Sequence, residues 1–375
     1  MEKRELEEAA NRVYRFMMHG EQAEWGSHEW TDWAMNIDRW DWNSGVGIIA
    51  AAEFGKMSRE DWAIQEVEDW VNRNKWQSDS VKVINSMAPY AVFPLLLEKK
   101  ADPYYAAKAE EIAFWMMEQS PRTGNGAFEH TVTEKASFRE QIWADTVFMA
   151  VLFLARAARM LSNRRMADEA LRQVLLHLRA LQDDGTGLLF HAWNCEAEDW
   201  MSAARWNRAN AWNACGVPMI LEALEGCDFG NWNSSDDTGD SGNSGALAEI
   251  KGRYVKLAEG LMLKQNASGL WPTVLDRPGY YEETSGSAGI AYGLYKAARM
   301  GLLPDSKQAM ACADRATAAV ISKIGANGAV EGVSGGTPVL DSVAAYNEVP
   351  IFPTLYGQGL TLLLLTEAID LSKSR

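Results

Sequence analysis

Two kinds of helix alternate along this chain, and that alternation restricts the fold more than any single motif does. Segments such as 59–74 and 163–182 mix apolar with charged positions, as helices do when one face meets solvent. Between such segments lie others that are apolar or small nearly all round: Ser44–Ala52, Met87–Leu97, Thr146–Ala155, Ser285–Leu294 and Tyr356–Leu365. A helix with no polar face is stable only when it is buried on most sides. Periodicity and breakers together give about twelve segments, at 3–18, 44–57, 59–74, 87–99, 102–118, 143–160, 163–182, 206–224, 246–265, 285–299, 307–324 and 356–370. Period-2 alternation is scarce, so no major sheet is expected. Outer and inner helices in pairs, about 60 residues to a pair, predict an all-α fold, an (α/α)6 barrel whose helical hairpins close into a ring. The ring is expected to take up the chain, 1–375, as one domain, with a flexible loop at 229–245 where Gly, Ser, Asn and Asp replace apolar periodicity.

In such a ring the N-termini of all the inner helices share one rim, so the polar lead-ins before them converge. These lead-ins are rich in tryptophan, of which the chain has 16, and flat indole faces stack well on sugar rings. A formal charge of −15 argues against nucleic acid and anionic membranes as partners, because binding a polyanion rests on a basic face. The four cysteines show no CxxC spacing and the five histidines no His-x3-His pair, so structural zinc is not expected. No motif supplies a metal shell or a dinucleotide cradle, and no cofactor is implied. Met1-Glu2-Lys3-Arg4-Glu5 lacks an apolar signal core and no uninterrupted apolar stretch could span a bilayer, which reads as a cytoplasmic protein.

One lead-in stands out. Asp145, in Trp143-Ala144-Asp145, heads a run from Thr146 to Ala155 that carries no other charge. Earlier lead-ins supply Asp41-Trp42-Asn43-Ser44, where Asn43 or Ser44 could cap a helix; Asn85-Ser86 before Pro89; and His130 in a connecting loop. Later ones supply His191-Ala192-Trp193 and the string Arg205-Trp206-Asn207-Arg208-Ala209-Asn210-Ala211-Trp212. Helical spacing puts Arg208 and Trp212 on one face, and a guanidinium turned into the ring needs a carboxylate, either the protein's or a ligand's. Glu283 precedes Thr284-Ser285 and could cap the helix that follows; Glu331–Thr337 and Tyr356–Gly359 complete the rim.

Together these motifs resemble those of glycoside hydrolase family 105, the unsaturated rhamnogalacturonyl hydrolases and their relatives. The resemblance runs in the family's order from about residue 30 onward, through Trp143-Ala144-Asp145, His191-Ala192-Trp193, Trp206-x-Arg208-Ala209-Asn210-x-Trp212, Glu283-Thr284-Ser285 and Gly357-Gln358-Gly359. It implies that Asp145 is the catalytic acid/base, that Trp206, Arg208 and Trp212 bind substrate, and that His130 and His191 are site histidines. Family members often carry a second Asp where this chain has Asn85. The implied substrate is a small oligosaccharide ending in a 4,5-unsaturated uronic acid, the end group that polysaccharide lyases leave. Ordinary glycosidases need two carboxyl groups, whereas one can protonate C4 of this vinyl ether and then take a proton from the water that adds at C5. On this reading Asp145 does both, His130 or His191 assists, Arg208 grips the uronate carboxylate, and Trp42 or Trp212 stacks on the ring. Burial at the rim predicts a raised Asp145 pKa and an acid-side optimum. The other readings are an unsaturated glucuronyl hydrolase, a different (α/α)6 enzyme using Asp41 or Glu283 as second acid, and a non-catalytic sugar-binding protein.

Overall fold

The computed structural model describes residues 2–20, 34–59, 61–79, 82–133, 138–227 and 242–373. The outer helices are α1 (Lys3–His19), α3 (Asp61–Asn74), α5 (Pro103–Glu118), α7 (Arg164–Leu181), α9 (Gly242–Leu263) and α11 (Ser306–Ile321). The inner helices are α2 (Trp42–Ser58), α4 (Phe93–Lys100), α6 (Leu152–Met160), α8 (Asn207–Leu224), α10 (Thr284–Arg299) and α12 (Leu355–Ser372). Each inner helix touches the next, α2 meeting the residues that lead into α4, and α12 returns to α2, so the ring is closed. This is the (α/α)6 barrel that the alternation predicts.

The inner helices are buried as their composition requires. In α12, Leu360 and Leu362 to Leu365 have no exposed surface, so side chains on every face of the helix meet protein. Each such leucine contributes about 2 kcal/mol by leaving water. Glycine lets the inner backbones approach one another: a Cβ at Gly293 of α10 would run into the Ala214 carbonyl of α8, and one at Gly359 of α12 would stand 2.9 Å from the Val46 carbonyl of α2.

Two inner helices begin irregularly. A 3-10 stretch, Asn85–Val92, leads into α4; Pro89 within it has no N–H to give and disfavours a regular α-turn. A π-turn, Val147–Val151, leads into α6 and is closed by the Leu152 N–H on the Val147 carbonyl. Such turns are rare and occur most often at functional sites. The proposed loop at 229–245 lies outside the described residues up to 241, and its last residues instead open α9. Among the described residues no helix is long and apolar enough to cross a membrane.

Candidate active site

Two lead-ins are zipped together by a short antiparallel ribbon that the scarcity of period-2 alternation did not reveal. Strand β1 (Gln141–Trp143) pairs with β2 (Ala192–Asn194), with Trp143 opposite Ala192. The Ala144 N–H donates to the His191 carbonyl at 3.0 Å, which carries Asp145 alongside His191. His191 Nε2 stands 3.5 Å from Asp145 Oδ2, the long end of hydrogen-bond range, and neither atom has a better partner. On its far side, His191 Nδ1 lies 2.7 Å from the Tyr346 hydroxyl. The Asp145 carboxyl caps no helix, unlike those of Asp41, Asp102, Glu283 and Asp305, each of which accepts backbone N–H groups at a helix start. Its side chain is 13% exposed, while Oδ2 is sealed from solvent.

Asp145 opens on a cavity of about 190 Å³ whose lining includes Trp42, Asn85, His130, Trp143, Trp206 and Arg208. Phe138, Val132 and the segment Gly336-Thr337-Pro338 complete it. The walls are braced by ring contacts: Trp42 stacks on Tyr356 at 5.3 Å, and His130 lies flat on Trp143 at 4.1 Å. Trp206 packs against His191 at 4.3 Å. Asn85 is 3% exposed and its Oδ1 has no hydrogen-bond partner. An unsatisfied buried acceptor costs roughly 1–3 kcal/mol, so its place in a cavity wall suits a ligand that donates to it.

Arg208 is held on all sides. It lies over the rings of Trp206 and Tyr356, at 4.3 and 4.5 Å, and donates to the Ser334 and Gly335 carbonyls and the Thr337 hydroxyl. Its carboxylate partner is Glu283, at 3.5 Å, both side chains being essentially inaccessible. Glu283 also accepts from the backbone N–H groups of Ser285, Gly286 and Ser334. The internal ion pair is therefore present, and Arg208 faces the cavity as well.

The electrostatics turn on few groups. Burial pushes His130 down to about 3, against a weaker pull upward from Asp145, and it also holds His191 below its ordinary value. Both imidazoles are therefore neutral near neutral pH. Burial alone would raise the Asp145 pKa, but the influence of His191, His130 and Arg208 outweighs burial, and the net direction is down. With the imidazoles neutral, the Nε2–H of His191 and the charge of Arg208 favour the anion. The raised pKa expected from burial is thus corrected: burial acts as foreseen, but partners the sequence did not place beside Asp145 reverse it.

The structure brings Asp145, His191, His130, Trp42, Asn85, Trp206 and Arg208 to one rim. It takes Trp212 and Glu283 away from the cavity. Trp212 is fully buried, its ring against that of Phe148 at 5.2 Å. Glu283 is consumed by capping α10 and by pairing with Arg208. The cap of α2 is Asp41 rather than Asn43 or Ser44, and its carboxylate is further engaged by Thr133. Sequence reasoning missed Tyr346, Phe138 and Val132; none sits in a patterned motif. Among the described residues no cluster of three His, Cys, Asp or Glu side chains could hold a metal ion.

Residues 11–372 match the family described as Glycosyl Hydrolase Family 88. The chain is 31% identical over 336 residues to the unsaturated rhamnogalacturonyl hydrolase YesR of Bacillus subtilis, covering 89% of this chain and 91% of that one. A possible family 105 member from Salmonella enterica superposes with a TM-score of 0.87 at 26% identity, covering 99% of this chain and 95% of that one. Another, from Klebsiella pneumoniae, does so with a TM-score of 0.87 at 27% identity, covering 99% and 94%.

Proposed function

From the premise that this chain belongs to Glycosyl Hydrolase Family 88, with the likeness to family 105 read from its motifs borne out, we propose what its cavity does. It is a hydrolase that removes a 4,5-unsaturated galacturonyl group from the non-reducing end of lyase-made oligosaccharides such as the unsaturated rhamnogalacturonan disaccharide, a step of pectin breakdown. The observation that carries this reading is the single carboxyl group, Asp145, facing a cavity with indole walls and no second free carboxylate among the lining residues. A glycosidase of the ordinary kind needs two. Asp145 protonates C4, positive charge develops at C5, and a water that gives its proton back to Asp145 adds at C5. The hemiketal so formed opens and releases the neighbouring sugar.

The acid form of Asp145 comes from the substrate itself. Arg208 already has Glu283 as its anion within the protein, so an incoming uronate places a second carboxylate near Asp145 without a second cation to balance it. Like charge raises a pKa, and Asp145 takes up a proton as the complex forms. Arg208 and Asn85 then bind the uronate, and Trp42, held flat by Tyr356, stacks on its ring. Action in the cytoplasm, where the four free thiols stay reduced, belongs to the same reading.

The test is to incubate the protein with the unsaturated rhamnogalacturonan disaccharide and follow the ultraviolet band of the conjugated uronate. Hydration removes the band as rhamnose appears in equal amount. Persistence of the band while sugar is released would point to ordinary hydrolysis, and persistence without release to a binding protein.

A further inference from the structure

We propose that Tyr346 is a positioning residue that fixes the tautomer of His191, and through it decides which oxygen of Asp145 carries the acidic proton. The inference rests on the acid/base role given to Asp145 above. Tyr346 sits on a short 3-10 turn, Ala344–Asn347, between α11 and α12. The turn is pinned to the preceding lead-in by the Tyr281 hydroxyl on the Tyr346 carbonyl, 3.2 Å, and the Tyr281 N–H on the Asn347 side chain, 3.0 Å. The Tyr346 side chain is fully buried, 155 residues from His191 in sequence, and its hydroxyl makes its shortest contact, 2.7 Å, with His191 Nδ1.

Counting protons in this small network leaves one favourable arrangement. The Leu340 N–H points at the Tyr346 oxygen at 3.3 Å and can only donate, so the oxygen is an acceptor there. The phenol's own proton has two places to go: His191 Nδ1 at 2.7 Å, or the Ser202 hydroxyl at the weaker distance of 3.4 Å. Were Nδ1 protonated instead, the bare Nε2 would face Asp145 Oδ2, another acceptor, and that oxygen would keep no donor at all. With Tyr346 donating to Nδ1, Nε2 carries the hydrogen and offers it to Oδ2. Oδ2 is then the acceptor oxygen of the carboxyl in both of its charge states, and an added proton goes to Oδ1, the oxygen left for the cavity. Proton transfer to a sugar carbon requires it there.

The charged and titratable groups around His191 are Asp145, Arg208, His130 and Tyr346, with the rings of Trp143 and Trp206 closing the rest. Burial pushes the Tyr346 phenol up to about 12, so it keeps its proton through the working range of the enzyme. Without the hydroxyl, Nδ1 is a buried atom with no partner. The Nδ1–H tautomer then competes, Nε2 accepts from the acid form of Asp145, and the proton is trapped on Oδ2.

Tyr346→Phe keeps the ring and removes the hydroxyl. In this variant kcat is expected to fall about 10- to 100-fold with KM changed less than about twofold, since the wall of the cavity is untouched. Nitrogen NMR of histidine-labelled protein, with the His191 signals identified by their loss in His191→Gln, reads the tautomer directly. The wild type shows Nε2–H; Tyr346→Phe shows a mixture or Nδ1–H. Ser202→Ala changes neither kcat nor the tautomer. An unchanged kcat in a folded Tyr346→Phe protein, or a wild-type His191 bearing its hydrogen on Nδ1, overturns the proposal. A wild type that shows Nε2–H yet turns over no unsaturated uronide overturns the reading of the whole site instead, so the two failures are told apart.

Discussion

The barrel has two ends, and they treat charge in opposite ways. At the end formed by the C-termini of the inner helices lies a cavity of about 400 Å³, lined by Glu53, Lys56, Arg156, Arg159 and Glu222 among others. Charges here are paired: Glu53 with Arg156 at 2.5 Å, and Glu222 with Lys296 at 2.8 Å and with Arg299 at 3.2 Å. Arg159 donates to the last carbonyls of α8, where a helix carries partial negative charge. At the opposite end the cavity is less than half that size, yet Asp145 Oδ2, His191 Nε2 and Asn85 Oδ1 are left short of partners. Size does not mark a site here; unpaired polar atoms gathered at one rim do. The far end spends its charges on closing the ring, and the rim holds groups that a substrate must complete.

The largest effects should come from breaking one ion pair at each end. Arg208→Met leaves Glu283 buried without its cation, and should cost about 3–5 kcal/mol of stability together with nearly all activity. Glu53→Gln at the far end acts on a pair that is partly exposed, so the loss should be smaller, about 1–3 kcal/mol, with kcat unchanged. Denaturant melts and initial rates on both variants check this, and a Glu53→Gln protein that folds well but has lost activity would break the contrast.

Acid should weaken the molecule mainly through imidazoles it keeps neutral. Burial holds His130 near 3 and His177, inside α7, near 4. Below about pH 6.5 the unfolded chain binds protons at these residues and the folded one does not, so stability falls as pH falls until the folded values are reached. Between pH 7 and 6 the two together should lower stability by about 1–2 kcal/mol. Melts across this range in His177→Gln should show a shallower slope than wild type.

The smallest effect expected belongs to Asn85. Because Oδ1 has no partner in the free protein, Asn85→Ala should leave stability within about 0.5 kcal/mol while raising KM about tenfold, the value of one hydrogen bond to substrate. A loss of stability without a change in KM would move Asn85 from the site to the scaffold.

Much of the barrel was legible because burial on all sides leaves a mark in composition. Helices such as α12, with leucines on every face, can sit in few places. The irregular starts were not legible: Pro89 hints at the 3-10 stretch, but nothing in Val147–Val151 announces a π-turn. In the site, Asp145, Trp206 and Arg208 could be read because each breaks its local pattern, a lone charge before an apolar helix or a guanidinium among indoles. Trp212 shares a helical face with Arg208 in sequence, yet packing against Phe148 decides its place. The pKa of Asp145 was misjudged for a related reason. Periodicity reports how deep a residue lies, whereas the direction of its titration depends on His191, brought close by a three-residue ribbon too short to show an alternating pattern. Tyr346 reaches the same histidine from across the ring, and only the closed fold reveals it.

The central claim is that one carboxyl both gives and takes the proton, and Asp145→Asn tests it most directly. The amide fits the same space and cannot act as the acid, so turnover of the unsaturated disaccharide, followed by its ultraviolet band, should drop at least about 1000-fold. Calorimetric titration of the same variant should still show substrate binding within a few-fold of wild type. A variant that continues to bleach the band at more than a few per cent of the wild-type rate would contradict the account.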